Sequence, residues 1–188
     1  MASSPHPAPD RPRRPNARFP VPTRFLRDEQ GIAAIEFGMV ALPFFAIMMA
    51  IVETFLLFFA SQTIETATDV GARLIRTGQA QTGGFDEADF KNAICDAMAG
   101  LFNCEANLRV DVRTYAQFAL VDMTRPIDEE RELVEDFTYT PGAGGDIVVV
   151  RAFYEWPLHT NLLGLGLANL ASGKYLIAAT AAFRNEPF

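Results

Sequence analysis

The chain is poor in the residues that most site chemistry requires. Its 188 residues include two cysteines, two histidines and one tryptophan. Only His159 lies beyond the N-terminal segment, so a metal centre built from histidine and cysteine lacks ligands. No G-x-S-x-G, H-E-x-x-H or C-x-x-C pattern occurs. Gly173-Lys174 is not a phosphate loop, because Tyr175 replaces the Ser/Thr and Ala168 stands where the first glycine belongs. Gly164 and Gly166 lack the third glycine of a dinucleotide fingerprint and follow no βα unit. The acidic stretch 128–136 lacks the spacing and the glycine of a calcium loop. Glu155, beside Trp156, reads as a lone solvated carboxylate, and His159 as a surface or capping residue. These absences argue against an enzyme and imply no cofactor, no metal and no small-molecule substrate.

Basic charge is also scarce over most of the chain. The formal net charge is −7. Residues 1–31 hold six arginines against three acids, whereas the remainder holds ten basic and twenty acidic side chains. The acidic remainder has no footprint for nucleic acid. Opposite signs in the two parts indicate different surroundings.

What is present begins with a leader. Seven of the first 22 residues are prolines and few are apolar, so this stretch reads as a disordered tail. From Ile32 to Ala60 the chain is almost wholly apolar. As a helix those 29 residues run roughly 44 Å, against a hydrocarbon core of about 30 Å. A cleaved secretory signal would have a shorter apolar region followed by a small-residue cleavage site, and none follows. Five arginines between Arg13 and Arg27 place the N-terminus on the cytoplasmic side. The expected organisation is a cytoplasmic leader 1–31, a transmembrane helix 32–60 and an extracytoplasmic domain 61–188.

The helix is expected to continue past the membrane. Ile64, Ala67, Gly71, Leu74 and Ile75 recur at helical spacing, with Gly78 as a stop. A second helix fits Phe85–Ala99, with Phe90, Ile94, Ala97 and Met98 as its apolar face and Gly100 as its end. The period then changes to two: Leu108, Val110 and Val112 alternate with Arg109, Asp111 and Arg113, a half-buried strand. Residues 122–136 carry seven acids and read as a solvated loop. Pro141–Gly145 is a turn, Asp146–Trp156 a central strand, and Tyr175–Phe183 the last strand. Residues 158–171 fit either a short helix or a packed loop. The fold class is α+β, with the long helix laid on a small antiparallel sheet.

Cys95 and Cys104 both fall in the extracytoplasmic part, where an oxidising compartment favours a disulfide. A continuous helix would hold their Cα atoms roughly 13–14 Å apart, too far for a bridge. The helix must therefore break between them, and Gly100 is placed to break it. Two carboxylates interrupt the apolar run, Glu36 and Glu53, and an acid in hydrocarbon is a functional hypothesis by default. Glu53 fits the outer interface. Pro43 removes one helical hydrogen bond and is expected to bend the helix.

Gly31-Ile-Ala-Ala-Ile-Glu36-Phe37 resembles the processing site of type IV-like prepilins, and more narrowly that of the TadE-like proteins of tight-adherence (Tad/Flp) pili. The arginine-rich leader, the long apolar helix, the cysteine pair and the ending Ala182-Phe-Arg-Asn-Glu-Pro-Phe188 are similar to that family. The resemblance runs from about residue 24 to residue 188. It implies a minor pilin or pseudopilin of the bacterial inner membrane, acting in adhesion and biofilm formation. A prepilin peptidase would cut between Gly31 and Ile32. Glu36 and Phe37 would then take part in subunit interaction. The implied partners are other Tad pilins and assembly-platform proteins. A membrane-anchored periplasmic binding or sensor module is the alternative, and it predicts a ligand pocket in 79–188 and an uncut Gly31.

Overall fold

The computed structural model describes residues 29–98, 103–158 and 166–188, and it divides into two compact units, Met1–Pro43 and Phe44–Phe188. The first helix, α1, spans Glu29–Arg76 and stays helical through Pro43. Described residues of the first unit all belong to α1.

In the second unit α1 changes character along its length. Up to Phe59 its large apolar side chains are exposed, apart from the half-buried Leu57; from Ala60 onward a stripe is buried: Ala60, Ile64, Ala67, Ala72 and Ile75. That spacing is the single apolar face of a helix laid on a core. Hydroxyls on the helix bond back to carbonyls four residues earlier, Thr54 to Ala50, Thr63 to Phe59 and Thr68 to Ile64, so they need no outside partner. The helix ends as expected. Gly78 takes φ +75°, and the N–H groups of Thr77 and Gly78 close on the carbonyls of Arg73 and Ile75.

A short helix, α2 (Gln79–Thr82), follows at once and was not anticipated. The second long helix, α3, covers Glu87–Ala97. Asp86 caps it in a reciprocal box with Asp89, which sets its start two residues later than the apolar pattern alone suggests. Phe90, Ile94 and Met98 are buried in a row spaced by four. Ala97 is exposed, because the row facing α1 runs through Met98 instead. Side chains of α3 press against α1 at Gly71. A Cβ there would stand 2.8 Å from Ile94 Cγ1 and 3.2 Å from the Phe90 ring, so only glycine permits the approach. Gly100 and His159 lie outside the described residues.

After the turn of α4 (Cys104–Asn107), three strands form one antiparallel sheet: β1 (Leu108–Tyr115), β2 (Ile147–Trp156) and β3 (Tyr175–Arg184), in the order β1-β2-β3. Val112 lies opposite Val150, and Val150 opposite Ala181. The even residues of β1 and β2 and the odd residues of β3 face the helices. Leu108, Val110, Val112, Val148, Val150, Ala152, Ile177 and Ala179 build the main core with α1 and α3. The fold is thus α+β, with the central strand where its apolar run predicts it.

The opposite face of the sheet departs from expectation. Residues 122–136 are more than a solvated loop, since Ile127 and Leu133 form an isolated antiparallel bridge. Both, with Phe137, pack on a second cluster of Phe153, Leu170 and Leu176. Arg131 ties this segment to the Leu-rich one by donating to the Ala168 carbonyl (2.8 Å) and accepting from the Ala171 N–H (2.9 Å).

Candidate assembly interface

Gly31, Ile32, Glu36 and Phe37 all lie on α1 in the first unit, and all are exposed. The Gly31–Ile32 bond lies on α1, near the first of the described residues. Nothing lies within 4 Å of the Cβ position at Gly31. Side chains at Ile32 and Phe37 are 55% and 72% exposed.

The rest of the apolar helix inverts the burial of a soluble protein. Among the described residues α1 is the one helix long and apolar enough to cross a membrane. Its phenylalanines, leucines and isoleucines between residues 44 and 59 are largely uncovered, yet Glu53 among them is only 5% exposed. Apolar groups outside and an acid inside suit a hydrocarbon solvent rather than water. Glu53 is therefore more sheltered than an acid at a wet interface. An apolar groove of about 670 Å³ runs along Ile47, Ala50, Ile51, Thr54, Phe55, Phe58 and Leu167.

Three devices tie the elements of the second unit together. First, Cys95 and Cys104 form a disulfide with Cα atoms 5.6 Å apart, joining the end of α3 to the start of α4. Second, Asp111 is fully buried on the sheet face turned away from the helices. It accepts from Arg151 Nη2 (2.6 Å), Arg113 Nε (2.9 Å) and the Thr138 N–H (3.0 Å). Burial works against its charge, but the arginine and amide hydrogen bonds outweigh that and hold the carboxyl below its ordinary range. Arg151 also donates to the Asp122 and Thr124 carbonyls, so the network pins the crossing segment to the sheet. Third, Asn185 is buried and clamps the 141–146 turn. Its Nδ2 donates to the carbonyls of Pro141 and Ala143, while its own N–H donates to Asp146 O. The Glu186 N–H caps the Arg76 carbonyl at the end of α1, and the Phe188 ring lies over Gly78. The ending Arg184–Phe188 thus latches α1 to the sheet.

Glu155 is not solitary, since Lys174 Nζ lies 2.8 Å from it. Burial, with Asp86 and Asp89 nearby, pushes the Tyr139 phenol up to about 12. Among the described residues no three metal-ligating side chains converge. The second device has no motif in the sequence, and the third falls in the ending Arg184–Phe188, which the family resemblance already marks but whose contacts it does not give. Asp111 looks like a solvent-facing residue in an alternating strand, and its partner Arg151 is far away in sequence.

Fold and surface together define a class: an α+β domain whose core helix continues as an exposed apolar membrane helix. Residues 31–73 match the family model described as TadE-like protein. The matched segment begins at Gly31 and covers α1 nearly to its end, stopping before the sheet. Over that segment the chain is similar to TadE-like proteins, which supports involvement in Tad pilus assembly. No curated protein and no solved structure matches the chain.

Proposed function

We propose that the protein acts as a minor pilin or pseudopilin in Tad pilus assembly, anchored by α1 with its leader in the cytoplasm and its α+β domain outside. The observation that carries this reading is the single helix α1. Its apolar part is exposed, and its later turns are the core of the outer domain. Force or position imposed on the membrane helix therefore passes directly into the folded domain, which suits a subunit that is lifted or packed by its helix. Cleavage after Gly31 would create an amino group on Ile32, about one helical turn from Glu36. That amine and Glu36, within one chain or between neighbours, would pair in low dielectric, and removing one leaves the other uncompensated.

The test is a strain carrying only Glu36→Leu. The expected outcome is an inserted, processed protein that does not support piliation. A reporter fused after Phe188 should be active only outside the cytoplasm. Normal piliation with Glu36→Leu removes the role given to this acid, and reporter activity in the cytoplasm removes the topology.

A further inference from the structure

The sheet has two edges, and the molecule treats them differently. On β1 the outward main-chain groups of Val112 are occupied: its N–H donates to Thr138 O (2.7 Å), and its carbonyl accepts from Thr140 N–H (2.8 Å). On β3, Leu176 is also covered. Its N–H donates to Asn169 Oδ1 (2.7 Å) and its carbonyl accepts from Asn169 Nδ2 (3.3 Å). These bonds show that the even residues of β3 turn their polar groups away from β2. Ala178, Thr180 and Ala182 therefore present N–H and C=O groups outward, and among the described residues none of these groups has a partner. All three residues are exposed.

An open edge is normally blunted by lysine, proline, a bulge or a covering segment. The stretch Ala178-Ala-Thr-Ala-Ala182 has none of these, and its small side chains at Ala178, Thr180 and Ala182 leave the backbone edge uncovered. Beside it runs a groove of about 410 Å³ lined by Asp69, Ala72, Arg73, Arg76 and Ala181–Phe183. Arg73 and Arg184 have no ion-pair partner among the described residues, and Arg76 has only a long contact of 3.7 Å to Glu186. Three arginines thus border the open edge of an otherwise acidic domain.

We propose that the outer edge of β3 is a docking site for an extended, acidic segment of a different protein, added as a fourth strand of the sheet. Main-chain pairing with Ala178, Thr180 and Ala182 supplies the attachment, and carboxylates facing Arg73, Arg76 and Arg184 supply the selectivity. A second copy fits this edge poorly. The α1 helix runs in the same direction as β3: residues 47–58 border Leu167, ahead of the strand, and residues 69–76 border Ala181–Phe183. Two-fold pairing of β3 with β3 would turn the two α1 helices in opposite directions, and one membrane cannot take both anchors. Pairing of β3 with the β1 edge of another copy meets the 138–140 segment already bound there.

The test uses the full-length protein in cells that produce its native partners. A photo-cross-linking residue replaces Ala182, and the adduct is sequenced. The expected adduct joins an acidic segment of a different protein. It falls at least tenfold with Thr180→Pro, which removes an outward N–H but no hydrogen bond of the sheet, and persists with Thr180→Val. It also falls at least tenfold with Arg73→Glu combined with Arg76→Glu. Non-reducing mapping of Cys95–Cys104 checks that each variant folds. If Thr180→Pro does not fold, the charge-reversal variant decides. An adduct to a second copy, no adduct, or an adduct indifferent to the deciding variant overturns the proposal.

Discussion

Replacing Asp111 by alanine should be among the most damaging single changes in the α+β domain. The carboxylate side chain is 1% exposed and Arg151 is 11% exposed, so the substitution leaves a guanidinium covered and without its counter-charge. Removing one partner of a buried pair costs about 3–5 kcal/mol, against the 5–15 kcal/mol that holds a typical domain folded. Arg113 is a milder site. Its side chain is 32% exposed, so Arg113→Ala should cost about 1 kcal/mol or less. The assay is unfolding of the full-length protein in detergent with the disulfide intact, followed by near-ultraviolet circular dichroism. The sign of the pH effect follows from the lowered carboxyl. The contribution of Asp111 is fully present above the ordinary aspartate value of about 3.9 and is lost as pH falls through the lower folded value. Wild type should therefore lose stability below pH of about 4 more steeply than Asp111→Asn. Equal stability of wild type and Asp111→Ala, or parallel acid limbs for wild type and Asp111→Asn, would refute the reasoning.

Other outcomes follow from the same structure. Cys95→Ser with Cys104→Ser should lower stability by about 2.5–3 kcal/mol in the chain-entropy model, and peptide mapping without reductant should find the two cysteines joined in the wild type. Gly78→Ala places a side chain at φ +75° and a Cβ 2.4 Å from Phe188 Cγ. The backbone strain alone should cost roughly 1–3 kcal/mol. Because that strain is independent of the ring, Phe188→Ala should not rescue it in thermal unfolding of the double variant. Gly31→Ala adds bulk at the scissile position and should reduce processing, read as accumulation of the longer chain on gels.

Where one interaction dominates and is local, the sequence was a sound guide. The apolar run set the long apolar helix, the alternation at 108–113 set β1, and the unbroken apolar core of Ile147–Val150 placed β2 in the centre. The cysteine pair and the Gly78 stop also followed from nearby geometry. What escaped reading depends on distant partners. Asp111 meets Arg151 only because β1 and β2 pair in one register. Ile127, Leu133 and Phe137 are too sparse among acids to announce a packed segment, and they are half-buried because they cover Phe153 and Leu176. Asn185 stands in the ending that resembles the family, but its clamp on the 141–146 turn depends on residues some forty positions away. The candidate processing site was legible as a motif, since its meaning lies in residue order, whereas the open edge of β3 required the sheet order.

The most direct measurement is the intact mass and N-terminal sequence of the protein isolated from cells that make it under its own control. The account predicts a mature chain beginning at Ile32, five residues into which stands Glu36. A chain still beginning at Met1 would contradict it and favour a membrane-anchored binding or sensor module.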